Sequence, residues 1–334
     1  MMERRVDYRT APCLAAARAA ATALLDTLAA RCATLELEAL ETVAAAGSLG
    51  RLEIATRSDF DAVFVARAGA APARVEREIA AVLDAAAACG LVPPKPDGIF
   101  RDAVSRAALL EPGARGRLDE PPALFGKRMQ CLLDARPLYG AAAFRELRGA
   151  VLQWYADGRP GLADLQNDLK RYLHSYAAWQ QHKRSRSDDD SWALRQAKLG
   201  TVRLLTFAGL LVLLGAASCQ ADAERTRWLA SRLDATPLER LALVMGGRDP
   251  HAFQRVLADY EFCFARLSDA AFRQRLIDHD DDMSQAGAAT AALGEIAPAA
   301  ERLLHELTAF VLAQRERWDA GFFSGLVFWG RPYS

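Results

Sequence analysis

The chain has 334 residues, with 42 Lys plus Arg against 42 Asp plus Glu, and is 51% hydrophobic and 25% charged. This composition excludes disorder as the main state, and the length predicts two domains that each bury a core of their own. A formal net charge of zero lacks the basic excess of a typical nucleic-acid-binding protein, so nucleic acid is not expected as a partner. The six cysteines lie far apart without a C-x-x-C pair, which predicts buried thiols in a reducing compartment.

The N-terminal residues and the most apolar stretch both bear on localisation. MMERRVDYRTAPC carries charges and has no apolar core of signal-peptide length, which favours a cytoplasmic protein. The stretch from Leu204 to Cys219 is shorter than the roughly 20 residues that span a bilayer. We therefore expect a buried helix there and no contact with a membrane.

The residue pattern predicts an α+β fold. Strands are favoured where β-branched or aromatic residues precede turn residues, and helices where Ala, Leu and Arg run without internal Gly or Pro. From about Pro121 onward the pattern is only helical, with a break at Pro137 to Gly140 among others. The predicted elements before that point are a helix over 12–33, strands over 41–46 and 59–66, a helix over 72–89 and a third strand over 98–104.

These elements predict two domains. Residues 1–130 form a small mixed-sheet domain preceded by the N-terminal helix, and residues 131–334 form an all-α helical-bundle domain. The boundary is placed between residues 120 and 140.

The segment from Gly47 to Val65, GSLGRLEIATRSDFDAVFV, carries the chemistry. Gly47 and Ser48 follow a strand and open a short helix, which outlines a cradle for phosphate. Asp59 and Asp61 are two apart on a predicted strand, so both carboxylates project from one face, about 6 to 7 Å apart. Such a pair can hold Mg²⁺ together with substrate phosphate oxygens, although each Asp taken alone is equally typical of a solvated strand edge.

The whole segment resembles the signature of the DNA-polymerase-β-type nucleotidyltransferase superfamily, G-S-x-x-R-x-E-x(4)-S-D-x-D. Its closest likeness is to bacterial nucleotidyltransferases related to the PII-protein uridylyltransferase. Three later blocks are similar to family stretches and occur in the same order. The matching residues of the signature are Gly47, Ser48, Arg51, Glu53, Ser58, Asp59 and Asp61, and the later blocks are 127–140, 167–172 and 192–211.

The resemblance implies a metal-dependent enzyme that transfers a nucleoside monophosphate from an NTP to an acceptor hydroxyl, with release of pyrophosphate. Asp59 and Asp61 would hold Mg²⁺ or Mn²⁺, and Gly47 and Ser48 would hold the triphosphate. The superfamily usually adds a third carboxylate from a later strand. Asp102 is favoured for that role over Asp97, which an odd spacing would place on the other face of a strand.

The other candidates for nucleotide binding each have an alternative, structural interpretation. Arg51 either pairs with Glu53 or contacts phosphate. Arg195 and Lys198, three apart on one helix face, either neutralise the triphosphate or belong to a solvated face. The remaining candidates are Ser58 of the signature, the polar residues Asn167, Asp168 and Arg171, which would face the cleft, and the aromatic residues Tyr172, Trp179 and Trp192, which would stack on a base or form core.

His279 and Asp280 invite comparison with the metal-dependent HD phosphohydrolases, but the chain has only five histidines, too few for such a site. The leading hypothesis is a nucleotidyltransferase with a protein side chain as the acceptor and a small molecule as the next choice. The alternative is a catalytically weak nucleotide-binding regulatory protein.

Overall fold

The computed structural model describes residues 6–55, 58–94, 99–117, 119–157, 162–184, 192–277 and 286–327. Within these residues, helices surround a four-stranded mixed sheet, and the fold is α+β as the sequence predicts. β1 pairs antiparallel with β2 and with β4, whereas β2 and β3 are parallel. The strands are β1 (Leu40–Ala45), β2 (Ala62–Ala66), β3 (Ala103–Ser105) and β4 (Arg136–Tyr139), in the spatial order β3-β2-β1-β4.

The helices differ widely in length, and five of them begin with Pro in the first turn, where a missing N–H costs nothing. A π-helical turn, Leu199–Arg203, joins two of them into one continuous helix from Trp192 to Ser218. The helices are α1 (Pro12–Thr34), α2 (Gly47–Gly50), α3 (Pro72–Ala87), α4 (Arg106–Leu109), α5 (Pro122–Leu133), α6 (Ala141–Ala156), α7 (Ala163–Arg184), α8 (Trp192–Lys198), α9 (Leu204–Ser218), α10 (Asp222–Ala230), α11 (Pro237–Arg248), α12 (Pro250–Ser268), α13 (Ala270–Ile277), α14 (Ala286–Leu312) and α15 (Ala320–Val327).

Strand β4 lies where the sequence predicts only helices, so that prediction is wrong at this point. Its four residues follow Asp134 and contain Pro137, which a sheet accepts on an edge strand. Val43 to Ala45 of β1 pair with it, and the Thr42 hydroxyl donates to the Tyr139 carbonyl oxygen at 2.7 Å. A strand from beyond residue 130 therefore completes the sheet, and the division of the chain at that residue stays a prediction.

The two faces of the sheet pack into different cores, as the alternation of side chains along a strand requires. Val63 and Val65 of β2 belong to the large core that also contains residues of α5, α6, α9, α11 and α12. Ala62 and Phe64 belong to a smaller core shared with α1 and α3. The face that carries Val63 is therefore the face turned toward the helical part of the chain.

Two helices are long and apolar enough to cross a membrane, Pro12–Thr34 and Trp192–Ser218. This is weak evidence, because the core helix of a soluble protein passes the same test, and 61% of the apolar window in the second helix is buried. The predicted buried helix at Leu204 to Cys219 is present as α9, but it is extended by α8 and the π turn. A cytoplasmic location without membrane contact stays a prediction.

The cysteines are less uniform than predicted. All six are free thiols, and three of them, Cys32, Cys131 and Cys263, are buried. Cys13 and Cys219 are exposed, so the prediction of buried thiols is wrong for those two.

Glu78 anchors the start of β1 to α3. Its buried carboxylate accepts hydrogen bonds from the backbone N–H groups of Ala39, at 2.8 and 2.9 Å, and Leu40, at 2.9 Å. We expect Glu78→Ala to lower the free energy of unfolding by about 1–3 kcal/mol for each N–H group left buried without an acceptor. Denaturant unfolding measures this loss, and Glu76→Ala on the exposed side of α3 is the matched control. Equal stability of the two variants would contradict the anchoring role.

Candidate active site

The glycine-serine loop meets the second aspartate of the signature directly. Gly47 begins α2, just after β1, with a φ of +63°, in the left-handed region that glycine adopts without strain. A Cβ at this position would collide with Oδ2 of Asp61, and the Ala46 N–H donates to the Asp61 carbonyl oxygen at 2.8 Å. Both the backbone conformation and the close approach therefore require glycine here.

Asp59 and Asp61 lie on one side of the chain, as their spacing predicts. Phe60 between them is completely buried in the smaller core, Asp59 is exposed and Asp61 is half-buried. The strand itself begins only at Ala62, and the preceding segment is held by a bridge between Asp59 and Val92. Both carboxylates thus lie just before β2, on the side opposite Phe60 and the smaller core that α1 and α3 share.

Asp61 carries a charge that its surroundings only partly neutralise. Burial raises the pKa of Asp61, the negative charges of Asp59 and Asp134 raise it further, and Arg203 and Arg51 oppose them. The net pKa is above the ordinary value for an Asp. The carboxylates of Asp59, Asp61 and Asp134 therefore repel one another, and a bound cation would reduce this repulsion.

Arg51 of the signature is the centre of a buried ion-pair group, not an open phosphate ligand. Its Nε lies 2.9 Å from Glu53 Oε2, and its Nη1 lies 2.8 Å from Asp134 Oδ2. All three side chains are at most 6% exposed. Of the two alternatives for Arg51, the geometry favours the pair with Glu53 and extends it to a third residue.

Asp134 is the residue that the sequence interpretation missed. It follows the last residue of α5, and its other carboxylate oxygen, Oδ1, is buried without a hydrogen-bond partner among the described residues. A Cβ on Gly50 of the signature loop would collide with the Asp134 carbonyl oxygen. The sequence feature that could have pointed to Asp134 is its place inside the family-like block 127–140. However, that block lies beside the Gly47–Gly50 loop only because β4 pairs with β1.

The other predicted ligands are dispersed around this centre. The Ser58 hydroxyl is engaged locally with the N–H and carbonyl groups of Ala55, at 3.1 and 3.2 Å. Ser48 is half-buried, and its side chain makes no hydrogen bond to a described residue. Asp102 is exposed, directly before β3, and its carbonyl oxygen accepts a hydrogen bond from the buried Lys127. Asp97 lies outside the described residues.

Cations gather opposite the two aspartates. Lys198 ends α8 with an exposed side chain, and partial desolvation and the neighbouring Arg273 and Arg203 lower its pKa to about 8, against the attraction of Asp59. Arg195 is half-buried one turn earlier on α8. The negative charges of Asp134 and Asp61 attract Arg203, a residue that the sequence interpretation did not single out.

The block around Asp168 is internal. Its carboxylate accepts a hydrogen bond from the Tyr155 hydroxyl at 2.7 Å and pairs with Arg171 at 3.1 Å. Arg171 also pairs with the buried Glu120, which in turn pairs with Arg128. The prediction that Asp168 faces the cleft is therefore wrong, because its oxygens connect α6 to α7, and Arg171 continues the network to Glu120 just before α5.

The predicted base-stacking aromatic residues have different environments. Tyr172 packs edge-on against Phe125 with ring centroids 6.0 Å apart, and Trp179 is 51% exposed. Trp192 is half-buried at the start of α8. His279 and Asp280 lie outside the described residues.

The carboxylates at this site could bind a metal ion only if the substrate supplied further oxygen ligands. No group of three or more His, Cys, Asp or Glu side chains in the described part of the chain is arranged to hold a metal by itself. Mg²⁺ is commonly bound through one or two carboxylates, with phosphate oxygens and water completing its shell. Asp59 and Asp61 fit that kind of site, in which the nucleotide brings the remaining ligands.

Comparison with known proteins adds no family. No family model matches the chain, and no curated protein matches it at a significant level.

Proposed function

We propose that the chain is a metal-dependent nucleotidyltransferase, which transfers an NMP group from an NTP to an acceptor hydroxyl. The observation that carries the proposal is the contact between Gly47 and the Asp61 carboxylate, with Asp59 on the same side. This contact joins the two ends of the signature, which are 14 residues apart in the sequence, and so supports the proposal. In this proposal the sheet and its flanking helices form the catalytic domain, and the later helices bind substrate.

Each group at the site has a task in this reaction. Asp59 and Asp61 would hold Mg²⁺ or Mn²⁺, which when bound withdraws charge from the phosphates. The cations Lys198 and Arg195 would offset the charge of the triphosphate. The acceptor oxygen bonds to the α-phosphorus while the bond to the β-phosphate oxygen breaks, and pyrophosphate leaves. The hydroxyl proton passes to water or to a neighbouring carboxylate.

Asp134 and Asp102 are the two candidates for the third carboxylate. The charge of Asp134 acts on Asp61, and within the described part of the chain one of its buried oxygens has no hydrogen-bond partner, which supports Asp134. Its pair with Arg51 uses the other oxygen only. We expect Asp134→Asn to reduce transfer more than Asp102→Asn, and the reverse order would restore Asp102 to the role.

The test follows label from each α-labelled NTP, with Mg²⁺ or Mn²⁺, into protein, small molecules and RNA of a cell extract. We expect metal-dependent label that disappears in the Asp59→Ala, Asp61→Ala double variant and persists in Asp26→Ala, an exposed aspartate of α1. Label in protein would identify the favoured acceptor, and label in a small molecule the next one. Label that persists in the double variant would refute the assignment of the two aspartates.

A second candidate is a regulatory protein that binds a nucleotide with little turnover. The lack of a three-residue metal-binding group among the described residues favours it. NTP binding by the wild-type chain, without movement of label to any acceptor, would support this candidate over the transferase.

A further inference from the structure

The π turn Leu199–Arg203 changes which residues share a side of the long helix. In a regular α-helix each residue turns by about 100°, so that two residues five apart point about 140° away from each other. In a π turn the backbone hydrogen bond joins residues five apart, which brings them nearer to the same side of the helix. Lys198 precedes the turn and Arg203 ends it. The turn therefore brings together two cations that an α-helix would separate.

Both cations lack a polar partner among the residues that the structure describes. Neither Lys198 nor Arg203 has a hydrogen bond or an ion pair to any residue that the structure describes, although most of the arginines there do. The Arg203 guanidinium instead lies over the ring of Tyr176, 4.9 Å from its centroid. That ring stacks on Tyr172, with centroids 6.4 Å apart and planes inclined by 24°. The aromatic support fixes one face of the guanidinium and leaves its N–H donors free to bind a ligand.

The neighbourhood of the two cations is unfavourable without an anion. Lys198 has an exposed side chain that lies near Arg203 and near Arg273 of α13, and partial desolvation together with these like charges lowers its pKa. Asp59 attracts Lys198, and Asp134 and Asp61 attract Arg203. The proposed reaction commits Asp59 and Asp61 to a metal ion, and Asp134 already pairs with Arg51. Clustered cations with free donors are the usual recognition group for phosphate oxygens, to which Arg adds a two-pronged contact.

We propose that the π turn builds a polyphosphate-binding site, in which Lys198 and Arg203 together hold the phosphate chain of the substrate. This inference rests on the proposed function and deepens it. Arg203 supplies the paired N–H donors and Lys198 a point charge beside them. The site prefers a chain of linked phosphates over a single phosphate, because two separate cations can be engaged at once.

Calorimetric titration of the full chain with inorganic tripolyphosphate and with orthophosphate tests the site without relying on turnover. We expect tripolyphosphate to bind more tightly than orthophosphate, and Arg203→Gln to weaken its binding about 10- to 100-fold, the loss typical of a hydrogen-bonded charge pair. Arg203→Lys should lose less. The double variant with Lys198→Met should lose less than the product of the two single effects, because both residues contact one ligand.

Arg232→Gln is the matched control, since that guanidinium also lies over an aromatic ring, 4.1 Å from the centroid of Trp228. It should leave tripolyphosphate binding unchanged. Tyr176→Phe, which keeps the ring under Arg203, should bind like the wild type, whereas Tyr176→Leu should be weakened. Melting temperatures of all variants show whether each one is folded.

Unchanged tripolyphosphate binding in a folded Arg203→Gln variant would overturn the inference, whatever the transfer assay shows. Weakened binding in that variant, with no label transfer by the wild-type chain, would leave the polyphosphate site standing and refute the transferase. The two proposals can therefore fail separately.

Discussion

Replacing Asp61 with asparagine is expected to abolish transfer and to raise the melting temperature of the protein at the same time. The amide has the same shape but no charge, so a metal ion loses a ligand, and we expect kcat to fall about 10³-fold or more. The ligand-free fold gains, because burial and the charges of Asp59 and Asp134 disfavour the ionised carboxylate. A residue kept for stability alone would show the opposite change in melting temperature.

The stability gain of Asp61→Asn should depend on pH in a defined direction. The pKa of Asp61 is raised above its ordinary value of 3.8 in the folded chain. Its contribution to stability is therefore fully present below the unfolded pKa and is lost as the pH rises through the folded pKa. The melting temperatures of variant and wild type should lie close together near pH 4 and diverge toward pH 7. Divergence in the acid range instead would show that Asp61 is stabilised as an anion.

Replacing Arg51 with methionine is expected to cost about 3–5 kcal/mol of unfolding free energy, because Glu53 and Asp134 would be left buried without a counter-ion. Denaturant unfolding at neutral pH measures the loss. Arg51→Lys should be intermediate, since a lysine cannot reproduce both contacts of the guanidinium.

The control for Arg51 removes all three charges together. Arg51→Met combined with Glu53→Gln and Asp134→Asn should recover most of the lost stability, because no charge then remains buried alone. A loss below about 1 kcal/mol in Arg51→Met would contradict the ion-pair role and favour contact with phosphate, which is the second alternative for this residue.

The neighbourhood of Asp61 could be predicted in part. The spacing of Asp59 and Asp61, with the apolar Phe60 between them, predicts both carboxylates on one side, and Phe60 is buried in the smaller core. The cation Lys198 was also a candidate from its helix spacing. Asp134 could not be found in this way, because it reaches the signature through the pairing of β4 with β1, which joins distant parts of the chain.

Arg203 shows a different limit of sequence interpretation. Spacing rules assume 3.6 residues per turn, on which Lys198 and Arg203 would diverge. The π turn alters that geometry, and no residue type in Leu199–Arg203 announces it. Asp168 shows that helix spacing alone does not predict exposure to the cleft. It was expected at the cleft, but its carboxylate contacts Tyr155 and Arg171 in the interior.

The sequence by itself determined the α+β class, the helix that fills the core at Leu204 to Ser218, and the carboxylate pair beside a glycine turn. Each of these follows from local physics: side-chain periodicity, apolar content and the left-handed conformation that glycine tolerates. The tertiary structure alone decided that a short edge strand closes the sheet, that Arg51 is enclosed by two acids, and that Arg203 joins Lys198. The first two depend on contacts between residues far apart in the chain, whose energies no local pattern encodes. The third depends on a local π turn that the regular helix period does not predict.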